Sequence, residues 1–77
     1  MQKFKIGQVV NICINRPDYK INCKGTFFGY NLYLFSYPYL VTFDDVGINQ
    51  INENSEKIFP KDHRFLIAEG EISEIPE

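Results

Sequence analysis

The chain has 77 residues, 44 % of them hydrophobic and 23 % charged, with a net charge of −2. That length predicts one domain, residues 1–77, and the ordinary composition excludes a wholly disordered chain. No apolar run approaches the roughly 18 residues that span a bilayer and no signal-peptide pattern opens the chain, so a cytoplasmic protein is expected.

The first apolar residues, Phe4, Ile6, Val10, Ile12 and Ile14, share one parity, interrupted by Gly7. Period two with β-branched side chains predicts a strand. The stretch NRPDYKIN, residues 15–22, carries Pro17, which lacks an N–H, among turn-forming Asp and Asn. A long excursion between two strands is expected there. The second strand is placed at KGTFFGY, residues 24–30, where Gly25 and Gly29 allow a bend or bulge. If the two strands form a hairpin centred near Asp18, Cys13 and Cys23 fall opposite each other. That geometry would permit a disulfide, but two reduced thiols are the expectation in a cytoplasmic chain. With His63 the cysteines would make three ligands from distant segments, without metal-knuckle spacing, so no metal site is expected.

Residues 31–38, NLYLFSYP, could extend the second strand and turn back at Ser36-Tyr37-Pro38. YLVTFDD, residues 39–45, is the clearest strand, with Val41 and Phe43 facing the core and Leu40, Thr42 and Asp44 facing out. Asp44 to Gly47 reads as a turn, and residues 48–59 as a short strand with a polar loop; no segment shows a sustained helical period. FLIAEGEISEI, residues 65–75, gives a strand, a break at Gly70 and a short final strand. Short strands separated by turn signals imply an all-β barrel, and five strands suit this length.

The order of these segments resembles SH3-like small barrels: Gly7 to Val10, a long loop, Lys24 to Phe27, Tyr39 to Asp45, then Glu71 to Ile75. The resemblance implies a five-stranded, partly open SH3-like barrel. Tudor-like domains and the small photosystem I subunit of the PsaE type are the two nearest branches. The Tudor likeness implies an aromatic cage for methylated Lys or Arg, held by cation–π contact. Tyr19 and Phe43 match two of its walls, whereas Val46 and Ile48 stand where an aromatic and a polar residue belong. The photosystem likeness implies a cofactor-free subunit docking on a larger assembly, from which the insertion at 48–64 departs.

The charges divide unevenly. Residues 1–40 carry five cations against one acid, and residues 41–77 three cations against nine acids. Arg16, Lys20 and Lys24 could form a basic patch, with Tyr19 and Tyr30 stacking on bases. The net acidity weighs against nucleic acid as the partner. Glu69, Glu71, Glu74 and Glu77 form an acidic end, either a solvated edge or a contact for a basic partner. Asp44-Asp45 reads as a solvated pair at a strand end, and His63 lacks any nucleophile motif beside it. No phosphate loop or hydrolase motif occurs, so no enzyme activity and no cofactor are expected.

The densest signal is aromatic. Tyr33, Phe35, Tyr37, Tyr39 and Phe43 share a parity with Val41. A barrel filled by Val10, Ile12, Phe27, Val41, Phe43, Phe65 and Ile67 has no room for every ring. Tyr30, Tyr33, Phe35 and Tyr37 are therefore expected outside, as a surface for another protein or for a second copy of the chain. Tyr39 and Phe43 are expected inside.

Overall fold

The computed structural model describes residues 4–18, 20–31, 33 and 36–76. Five antiparallel strands form one sheet: β1 (Val9–Asn15), β2 (Lys20–Tyr30), β3 (Tyr39–Phe43), β4 (Phe65–Ile67) and β5 (Ile72–Glu74). Their order is β4-β3-β2-β1-β5, so the last strand returns to pair with the first. The sheet curls into an all-β, partly open barrel. A helix, α1 (Asp45–Glu53), follows β3, and a 3-10 turn (Glu69–Glu71) joins β4 to β5.

Hydrophobic patterning sets the register of the first hairpin. Ile12 pairs with Cys23 and Ile14 with Ile21, and all four are buried. Partners in an antiparallel ladder share a face, so this register gathers the apolar residues on one side. Cys13 pairs with Asn22 and is exposed, one position away from the pairing with Cys23 that a centre at Asp18 would give. A slip of one residue would turn Ile12 and Ile14 toward solvent. The cysteines thus lie on opposite faces, and both are free thiols. The hairpin is also tighter than the sequence suggests. β2 begins at Lys20, which leaves only residues 16–19 for the expected long excursion.

β2 carries its curvature at a bulge between Phe27 and Gly29 in the pairing with β3. Gly29 has φ +147°, a conformation that side-chain-bearing residues rarely adopt. The bulge turns the last residues of β2 over the core, where Tyr30 packs against the rings of Phe27 and Tyr39.

The interior combines Val10, Ile12, Ile14, Ile21, Phe27, Tyr39, Val41, Phe43 and Ile67 with Phe4 from before β1. Six of the seven residues expected to fill the barrel are buried, and Phe65 is half-buried against them. Phe43 stacks face to face on Phe65, with ring centroids 4.2 Å apart. Ile6 departs from its parity and is exposed, because the chain turns at Gly7 before β1 begins.

The expected turn at Asp44 and strand beyond it are instead α1. Asp44 caps the helix: its Oδ1 accepts the Gly47 N–H at 3.0 Å. Ile48 and Ile51, three residues apart, are buried. Gly47 sits directly on Cys23, where an added Cβ would collide with the sulfur and come within 2.9 Å of Phe43 Cβ. The helix thereby takes over the edge of β2 that β3 leaves uncovered. The Asn22 N–H donates to Gln50 Oε1 and the Asp44 N–H to the Lys24 carbonyl, both at 2.9 Å. No helix among the described residues is long and apolar enough to cross a membrane.

Candidate docking surface

Asn31 begins the loop between β2 and β3 by closing it at both ends. Its N–H donates to the Pro38 carbonyl at 2.7 Å, and its Oδ1 accepts the Tyr33 N–H at 2.9 Å. Pro38 thus supplies an acceptor without needing a partner for a donor. Between these anchors Tyr33 stands 93 % exposed and Tyr37 40 %, whereas Tyr39 and Phe43, of the same parity, are 6 % and 5 % exposed. The aromatic stripe therefore divides at Pro38 into an outer and an inner half. Phe35 lies outside the described residues.

Tyr30 does not belong to the outer half. It is half-buried, with its ring 5.0 Å from Phe27 and 5.3 Å from Tyr39 between centroids, and its hydroxyl accepts the Phe4 N–H at 3.4 Å. The bulge at Gly29 turns it inward, which parity counted from Tyr33 does not register.

Beside the loop lies a polar cluster that ties three segments together. The Arg16 guanidinium, at the end of β1, lies 5.0 Å from the centroid of the Tyr37 ring. It donates from Nε to Glu71 Oε2 at 3.0 Å and from Nη2 to Glu71 Oε1 at 2.8 Å. Glu71 Oε1 also accepts the Ala68 N–H at 2.8 Å. Burial pushes the Glu71 carboxyl up. The hydrogen bonds from Arg16 and from the Ala68 N–H, with the Arg16 charge, outweigh it and hold the group below the ordinary glutamate range. The two-point fork fixes Arg16 against Tyr37.

This pairing undoes the expected three-residue basic patch. Lys20 and Lys24 are exposed on the outer face of β2, but Arg16 is matched by a carboxylate. The acidic end is split in the same way: Glu69 and Glu74 are exposed, Glu71 is committed to Arg16, and Glu77 lies outside the described residues. The Tudor-like positions that are described do not come together. Phe43 is buried under Phe65, Ile48 is buried on α1, Val46 points out of that helix, and Tyr19 lies outside the described residues. Asp44 is a helix cap, and Asp45 meets Lys61 at 3.3 Å in an exposed ion pair. His63 rests against Phe59 and Phe65, with centroids 4.8 and 4.7 Å away.

One arrangement had no signal in the sequence. Arg64 lies over the Phe28 ring at 4.7 Å, a contact across the outer face of the sheet between residues 36 apart in the chain. Comparison with family models, with characterised proteins and with solved structures finds no match for the chain.

Proposed function

We propose that this chain is a non-enzymatic, SH3-like protein-binding module that docks on its partner through Tyr33 and Tyr37. The observation that carries the reading is Tyr33, 93 % exposed on a loop whose two ends are hydrogen-bonded together. A tyrosine has only two side-chain torsions to fix on docking, and an exposed one offers a large apolar face with a polar tip. Tyr37, steadied by Arg16 and Glu71, extends that surface. Aromatic and arginine side chains together are the usual composition of binding hot spots.

A nucleic-acid-binding role for Arg16, Lys20 and Lys24 is the second reading. The Arg16–Glu71 pair weakens it, since a guanidinium already forked to a carboxylate has less charge to offer a phosphate.

The test is the double variant Y33S/Y37S, applied to a partner captured from the native host. Melting within a few degrees of the wild type, together with loss of that partner or of self-association, is the expected result. A folded variant that retains all binding overturns the reading. A steep dependence of binding on salt would assign the activity to phosphate contacts instead.

A further inference from the structure

Beside Asp18 of the β1–β2 turn, the chain forms an open cavity of about 690 Å³. Its floor is Ile51 from α1 with Phe59 from the segment before β4 and Phe65 at the start of β4, and its rim carries Asp18, Glu56 and Lys57. The volume is in the range of small-ligand sites.

The floor is held in place. The Asn52 side chain clamps the Phe59 backbone at two points: Oδ1 accepts its N–H at 2.8 Å, and Nδ2 donates to its carbonyl at 3.1 Å. The Phe59 ring then meets Phe65 edge-on at 5.2 Å, and Phe65 is stacked on Phe43. Two rings are thus fixed beneath a rim with two carboxylates and one ammonium. Aromatic faces and carboxylates both favour a cation. A planar guanidinium gains more than an ammonium, because it stacks on a ring while forking to a carboxylate. Guanidinium–ring contacts already occur among the described residues: Arg16 lies between Glu71 and Tyr37, and Arg64 over Phe28.

We infer that this cavity receives an arginine side chain of a partner polypeptide, its guanidinium against the Phe59 ring and its charge met by Asp18 and Glu56. The inference stands apart from the docking role of Tyr33 and Tyr37, since it uses none of the loop's residues.

The experiment is an NMR titration of isotope-labelled protein with N-acetyl-arginine amide, and separately with the lysine and norleucine amides. The arginine compound is expected to shift the Ile51, Asn54, Phe59 and Phe65 amides saturably, and to bind about fivefold or more tighter than either comparator. D18N/E56Q, which alters exposed side chains only, should keep the folded spectrum and weaken arginine binding about tenfold. Y33S/Y37S should bind arginine like the wild type. Equal binding of norleucine, equal binding of lysine, no saturable shift, or unchanged affinity in D18N/E56Q each overturns the assignment. Loss of binding in Y33S/Y37S overturns it too, by moving the response to the loop.

Discussion

Single residues show how the same chemistry takes opposite roles by position. Phe43 and Tyr33 are rings of one parity, yet one is sealed beneath Phe65 and the other lies in solvent. Truncation should separate them. Phe43→Ala removes a stacked ring from the core and is expected to cost about 3–5 kcal/mol, comparable with the whole stability of a small domain. Melting within a few degrees of the wild type would show that Phe43 contributes little. The cysteines give a second contrast. Burial and the nearby Asp44 charge push the Cys23 thiol up to about 12, opposed only in part by a backbone hydrogen bond from Asp44. Reactivity follows the thiolate, so Cys23 should be inert while the protein is folded. Iodoacetamide at neutral pH is expected to label Cys13 alone, and both thiols once denaturant is added. Mass spectrometry counts the adducts, and rapid double labelling of the native protein would contradict the buried position.

At the scale of elements, the strands were legible and the helix was not. β3 was readable because Tyr39, Val41 and Phe43 alternate with half-exposed residues, a pattern that requires only one buried face. The register of β1 on β2 needed one step more: the turn alone suggests a centre at Asp18, whereas the buried quartet Ile12, Ile14, Ile21 and Cys23 fixes the pairing one residue away. α1 escaped because its nine residues bury only Gly47, Ile48 and Ile51, and Gly and Asn are weak helix formers. Its stability comes from the cap and from docking on β2, neither of which has a periodic signature. Asp44→Ala should therefore be costly for an exposed residue, by about 0.5–2 kcal/mol in a denaturant melt. Gly47→Ala, which would favour an isolated helix, should instead destabilise this one, because the methyl meets Cys23 and Phe43. Stabilisation by Gly47→Ala would show that the helix does not pack closely on the sheet. The exposure of Tyr33 and Tyr37 was likewise legible from barrel capacity, but the direction of Tyr30 was not, since it depends on a bulge.

For the whole molecule, the Arg16–Glu71 pair joins parts of the chain that the sheet leaves separate. β4 and β5 are the two edges of the sheet, and the 3-10 turn carrying Glu71 links them. Arg16 fastens that link to the end of β1, and through Tyr37 to the β2–β3 loop. The pair is only partly exposed, with 28 % of the Arg16 and 13 % of the Glu71 side chain accessible, so solvent screens it less than a surface pair. Because the carboxyl of Glu71 is held below its ordinary range in the folded protein, the unfolded chain takes up its proton first as the pH drops. The stabilisation is therefore complete above the ordinary glutamate value, about 4.3, and is lost as the pH falls through the lower, folded value. Glu71→Gln should cost about 1.5–3 kcal/mol at neutral pH, the worth of hydrogen bonds to a charged group. The gap between the variant and the wild type should then narrow steadily below pH 4, since protonation disarms the same contact in the wild type. Urea melts of both proteins at neutral pH and down to pH 2.5 measure that gap. A gap that stays constant with pH would assign the loss to packing rather than charge, and the joint between the sheet edges and the aromatic loop would not be electrostatic.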